Sequence, residues 1–159
     1  MIKNRDITLL GKGDLCVKIA NWLWDSKYPL TRVVPVVPEP SWCESLSRWA
    51  NEKDLEVISS GDYRDIKGKI DLALSVFYEK IISQAFIDKC NKIINLHNSP
   101  LPKYRGVRPI NWALKNEERR HGVTIHEITR GIDEGPIYGQ ITYPIYPDVE
   151  EVEDVYEKS

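Results

Sequence analysis

Asn95 and His97 stand two residues apart at the end of the run Ile93-Ile94-Asn95-Leu96-His97. In a strand, side chains alternate, so Ile94 and Leu96 share one face while Ile93, Asn95 and His97 share the other. An amide and an imidazole then project together beside the loop that follows, and an imidazole can exchange protons near neutral pH. A strand of a parallel sheet is expected to be apolar on both faces. Two polar groups in register break that rule, as functional positions do; taken alone, the pair equally fits a polar strand end bonded to its loop. Thirty-six residues beyond His97, Gly131-Ile132-Asp133-Glu134-Gly135 sets a carboxylate between two glycines. Such a loop can approach a ligand closely, and it is also what an ordinary Asp turn looks like. Lys103, Arg105, Arg108, Lys115, Arg119 and Arg120 form a basic stretch interrupted by Glu117 and Glu118. A solvated face explains them; Lys103, Arg105 and Arg108, on the loop after His97, are the ones placed to contact an anionic substrate.

Other candidates carry less. Gly11-Lys12-Gly13-Asp14-Leu15-Cys16 invites a nucleotide reading, but Cys16 stands where a dinucleotide fingerprint needs its third glycine. Asp14 would also put negative charge where a helix start would otherwise hold a phosphate. The segment reads as a tight turn with Asp14 as N-cap. His121 reads as a turn residue, His126 as a hydrogen-bonded structural histidine, and Trp22, Trp24 and Trp49 as helix-face packing. Cys16, Cys43 and Cys90 lack zinc-type spacing and read as reduced thiols of a cytoplasmic protein.

The elements that must position these groups follow from pattern. Strands are predicted over 6–10, 31–37, 55–58, 70–76 and 92–96. Helices are predicted from Asp14 to Ser26 (apolar face Leu15, Ile19, Trp22 and Leu23), from Ser41 (carrying Leu46, Trp49 and Ala50) and over 82–90. This alternation specifies an α/β fold, a Rossmann-like and mostly parallel sheet with helices on both faces. Ligands of such sheets bind beyond the carboxyl ends of the strands, where His97 lies. Pro109 suits the first turn of a helix through Asn116. Strands over 122–129 and 137–145, joined by a short link, are expected to form a hairpin. Residues 1–147 read as the catalytic domain. Residues 148–159 read as the start of an acidic helix with Val152, Val155 and Tyr156, either cut short or docked on the sheet or a partner.

The 159 residues carry 22 Lys and Arg against 24 Asp and Glu, a net charge of -2. Residues 148–159 alone sum to -5, which leaves +3 on the rest. That excess tolerates an anionic ligand but is too small to argue for nucleic-acid binding. No run approaches the ~20 apolar residues of a membrane helix, and the polar stretch Met1 to Arg5 does not read as a signal peptide.

The run from Asn95 through Pro100-Leu101-Pro102-Lys103-Tyr104-Arg105-Gly106 resembles the signature of the folate-dependent formyltransferases. Gly131 to Pro136 is similar to the same family's aspartate loop. Ser75-Val76-Phe77-Tyr78, Pro109 to Leu114 and Gly122 to His126 also match. The resemblance implies transfer of a formyl group from 10-formyltetrahydrofolate to an amine, without a metal. It implies Asn95, His97 and Asp133 as the catalytic trio. Asn95 and His97 would donate hydrogen bonds to a tetrahedral oxyanion, and Asp133 would orient His97 and help remove the amine proton. The pterin is expected near Phe77, Tyr78 and Ile82, and near Ile128, Gly131 and Ile132.

Leu10 to Asp14 and Tyr104 to Trp112 look most like the sugar N-formyltransferases, so the expected acceptor is a nucleotide-linked 3- or 4-amino sugar. A homodimer is the partner expectation, with neither nucleic acid nor membrane. Methionyl-tRNA formyltransferases, with their further domain and basic surface, fit less well. Glycinamide ribonucleotide formyltransferase, formyltetrahydrofolate hydrolase and a non-catalytic folate-binding or assembly module stay open as alternatives.

Overall fold

The computed structural model describes residues 6–159; Met1 to Arg5, read above as a polar lead-in, lie outside them. In chain order the elements are β1 (Ile7–Gly11), α1 (Gly13–Asp25), β2 (Leu30–Pro35), α2 (Leu46–Glu52), β3 (Glu56–Val57), β4 (Ile70–Val76) and α3 (Gln84–Ile87). They continue with β5 (Cys90–His97), α4 (Pro109–Lys115), β6 (Arg120–Glu127), β7 (Ile137–Pro144) and α5 (Val152–Lys158). The strands form one sheet in the order β3-β2-β1-β4-β5-β6-β7. β1 runs parallel to β2 and β4, and β2 to β3, whereas β6 and β7 are antiparallel. This is the mostly parallel α/β sheet with a C-terminal hairpin that the pattern predicts. No helix among the described residues is long and apolar enough to cross a membrane.

Two compact units divide the chain, one ending at Ile94 and the other spanning Asn95–Ser159. In the first, β1 is buried at every position because strands flank it on both sides. Leu9 pairs with Val33 of β2 and Leu74 of β4. Val17, Ala20 and Leu23 of α1 and Leu46, Trp49 and Ala50 of α2 complete the apolar core.

Four local expectations need correction here. Helix α1 buries Gly13, Cys16, Val17, Ala20 and Leu23, not the Leu15–Ile19–Trp22 face. The small residues let its backbone lie close to its neighbours, while Trp22 turns outward onto Tyr28, ring centroids 5.2 Å apart. Asp14 is not the N-cap, which is Lys12. It lies in the first turn, where a negative charge suits the helix dipole, and its Oδ1 accepts the Glu44 N–H at 2.8 Å. Helix α2 starts at Leu46 because Ser45 caps it, its Oγ accepting the Arg48 N–H at 3.0 Å. Helix α3 is a single turn, since the chain is already committed at Lys89, whose carbonyl accepts the Ile70 N–H at 3.0 Å.

In the second unit, the two-turn α5 gains the tertiary support a short helix needs. Val155 packs with Ile110 and Ala113 of α4 and with Ile145. A capping box closes its start, the Glu151 N–H reaching Asp154 Oδ2 at 2.8 Å. Residues 148–159 therefore pack within the second unit.

Candidate active site

The loop after His97 is held down by side chains of the hairpin. Thr124 Oγ1 donates to the Ser99 carbonyl at 2.7 Å and accepts the Leu101 N–H at 3.0 Å. Gln140 Nε2 donates to the Leu101 carbonyl at 2.8 Å, and His121 Nε2 to the Asn98 carbonyl at 2.8 Å. These bonds satisfy a buried irregular backbone that water does not reach.

That loop returns the Tyr104 carbonyl to His97 Nε2 at 2.9 Å. A carbonyl only accepts, so Nε2 carries a proton and Nδ1 is the nitrogen left to exchange one. Nδ1 lies 3.5 Å from Asp133 Oδ2. The same oxygen accepts the Gly106 N–H at 2.8 Å. The other oxygen, Oδ1, lies 3.5 Å from His126 Nε2. Nδ1 of His126 donates to the Glu127 carbonyl at 2.9 Å, so in the neutral ring Nε2 is an acceptor. It then receives one N–H of Asn95, whose Nδ2 is 3.2 Å away. The other amide hydrogen of Asn95 is left for a further acceptor.

Burial pushes the Asp133 carboxyl up, but His126 and His97 in their protonated forms, with the Gly106 N–H, outweigh it and hold the carboxyl below its ordinary value. Asp133 has φ +50°, a left-handed conformation that Asp tolerates better than most residues. Gly135 shapes the loop's far end: a Cβ there would lie 1.8 Å from the Glu127 carbonyl oxygen, the one that His126 bonds.

Asn95, His97 and Asp133 thus come together in one cluster. The other sequence candidates are distributed as follows. Phe77, at φ +54°, and the half-buried Tyr78 and Ile82 belong to the first unit, with the Tyr78 hydroxyl donating to the Gly61 carbonyl at 2.7 Å. Ile128 and Gly131 are half-buried and Ile132 is exposed, all in the second unit. Lys103 Nζ lies 3.4 Å from Glu118, and Arg105 Nη1 lies 3.0 Å from Glu134. Arg108 is exposed and precedes α4 with φ +55°.

Sequence reasoning missed the reach of two histidines. His121 is no turn residue: it is a fully buried member of β6. Burial pushes its imidazole below the usual value, with His97 acting in the same direction and the Asn98 carbonyl and Glu118 against it. His126 is structural, as expected, yet it touches two of the three site residues. The available signal was alternation, since Thr124 and His126 repeat on β6 the polar pairing of Asn95 and His97.

The formyl transferase family profile matches residues 33–159. Among curated relatives, the bifunctional polymyxin resistance protein ArnA of Wigglesworthia glossinidia brevipalpis is 46% identical over 81 residues, 50% of this chain and 12% of that protein. Methionyl-tRNA formyltransferase of Fervidobacterium nodosum is 39% identical over 108 residues, 68% of this chain and 32% of that one. Among solved structures, WlaRD, a sugar 3N-formyl transferase crystallised with dTDP and 5-N-formyl-THF, superposes with TM-score 0.83 at 26% identity, covering 97% of this chain and 57% of its own. The N-formyltransferase of Helicobacter canadensis, in complex with folinic acid and dTDP-3-aminofucose, gives 0.82 at 28% identity, covering 99% and 58%. The chain therefore spans under two thirds of each of these proteins. With its profile covering most of the sequence and the signature residues gathered in one cluster, the chain belongs to the formyl transferase family.

Proposed function

We propose that this chain carries the catalytic centre of a formyltransferase that moves a formyl group from 10-formyltetrahydrofolate to the amine of a nucleotide-linked 3- or 4-amino sugar. The observation that carries the proposal is the convergence of Asn95, His97, His126 and Asp133, drawn from two strands and a loop. The donor supplies an activated formyl carbon. Asn95 directs its second N–H to the formyl oxygen, where negative charge grows as the amine attacks; one such donor is worth about 3 kcal/mol of barrier. His97 takes the amine proton at Nδ1 and Asp133 holds the resulting imidazolium charge. As the tetrahedral intermediate collapses, the formyl C–N10 bond breaks and that proton passes to N10 of the departing tetrahydrofolate; positioned acid–base groups contribute about 10²- to 10⁴-fold. The backbone near Phe77, Tyr78, Ile82, Ile128, Gly131 and Ile132 is assigned to the folate, and Lys103 and Arg108 to the anionic acceptor. The three free thiols suit a reducing, cytoplasmic setting.

The sugar reading rests on WlaRD and the Helicobacter canadensis enzyme, whose ligands include dTDP and dTDP-3-aminofucose. The identity to a methionyl-tRNA formyltransferase supports a second reading, in which the acceptor is methionyl-tRNA. The test is formyl transfer from 10-formyltetrahydrofolate with dTDP-3-aminofucose, methionyl-tRNA or glycinamide ribonucleotide in parallel, followed by product mass. A formyl-sized mass gain on the sugar alone is expected. Gain on the tRNA or the ribonucleotide instead overturns the sugar reading, and release of formate with no acceptor makes the chain a hydrolase.

A further inference from the structure

The geometry points to Arg105 and Glu134 as a positioning clamp that holds the aspartate loop against the proline loop, and so sets where Asp133 meets His97. This inference rests on the trio's proposed role. Arg105 Nη1 and Glu134 Oε1 are 3.0 Å apart. Their chain neighbours, Gly106 and Asp133, are joined by the 2.8 Å bond from the Gly106 N–H to Asp133 Oδ2. Two consecutive residues of one loop therefore grip two consecutive residues of the other. The backbone bond alone is a pivot; the ion pair beside it removes the rotation.

The residue types fit that arrangement. The Glu134 side chain folds back over its own loop, and a Cβ at Gly131 would lie 2.2 Å from Glu134 Oε2. Glycine at 131 leaves room for the carboxylate to reach Arg105. Asp133 sits at φ +50°, a conformation that persists where its surroundings impose it. Its carboxylate faces His97 from β5 and His126 from β6, each at 3.5 Å, with Arg105 and Glu134 at the rim. Both rim side chains are about half exposed, so the pair contributes little to folding and its removal leaves the protein intact. Its effect is geometric: catalysis is steeply sensitive to misplacement of a reacting group by about 1 Å.

The experiment uses Glu134→Gln, Arg105→Ala and the charge-swapped Arg105→Glu/Glu134→Arg protein. Formyl-transfer kinetics across pH are read beside the NMR titration of the His97 ring. Each single variant is expected to lose about 5- to 10-fold in kcat, with KM values within about twofold. The His97 titration should shift in both, and the swapped protein should recover most of the rate. Raised salt should move the wild type toward Glu134→Gln, because a half-exposed pair is screened. The clamp is overturned if Glu134→Gln keeps the wild-type rate and His97 titration. It is equally overturned if Arg105→Ala raises the acceptor KM about tenfold or more at constant kcat, which would make Arg105 a substrate contact. The NMR arm needs no turnover. A wild type that transfers nothing, with a His97 titration that still responds to Glu134→Gln, sinks the functional reading and leaves the clamp standing.

Discussion

The two units bury different chemistry. The first packs Ile, Leu, Val and Ala from β1, β2, β4 and α1, and among its described residues the buried polar side chains are Thr8 and Ser75. The second buries His97, Asn98, Ser99, His121, Thr124 and His126 within 65 residues. Buried polar groups are costly unless bonded; in the second unit His97, Ser99, His121 and Thr124 bond the backbone of the loop after His97, Asn98 bonds Ser159, and His126 bonds Asn95 and the Glu127 carbonyl. The apolar unit supplies burial energy, while the polar unit holds a loop and an imidazole in fixed orientations.

The largest expected effect tests whether chemistry is confined to the second unit. Asp133→Asn should lower kcat/KM by about 10³-fold while the urea midpoint falls only by the small ionic contribution of the depressed carboxyl, because it removes a charge beside His97 and no packing. An equal fall in midpoint would show that Asp133 mainly holds the fold. The converse change is Leu10→Ala in the fully buried β1. It should cost about 2–5 kcal/mol in urea unfolding and leave the rate per folded molecule unchanged. Loss of rate at full folding would mean that the division between the units is wrong.

His126→Gln blurs the line between them and sharpens it. It removes the ring that bonds both Asn95 and the Glu127 carbonyl, so we expect about 10-fold slower transfer together with about 1–3 kcal/mol lost stability. The smallest effects are those of pH. His121 has a folded pKa below its unfolded value, near 6.5, so the unfolded chain binds the proton more readily. Stability should therefore fall as pH drops below about 6.5, and His121→Gln should flatten that slope in unfolding curves. Asp133 behaves as a depressed carboxylate. Its contribution is complete above its unfolded value of about 3.9 and is lost as pH falls through the lower folded value, a step absent in Asp133→Asn.

Much of this contrast could be read from the residues. Strand β4 runs from Ile70 to Val76, as its run of apolar residues says, and the hairpin follows from two strand patterns on a short link. Asn95 and His97 were visible because polar residues interrupt an apolar strand in period two. What the residues did not show shares a cause. Helix α1 was assigned its bulkiest face, but small residues pack closest. The pairing of Arg105 with Glu134 was not visible, because 29 residues separate the two. His126 looked merely structural because its bond to Asn95 spans two strands, and spacing along the chain carries no record of such a contact.

Gly135 reaches further than its size suggests. It leaves space for the Glu127 carbonyl, that carbonyl fixes the proton on one side of the His126 ring, and the ring's bare side faces the Asn95 amide. A single methyl group at 135 would collide with that carbonyl and loosen the bond that orients the His126 ring toward Asn95. The orientation of the histidine beside Asn95 and Asp133 thus depends on a residue that has no side chain at all.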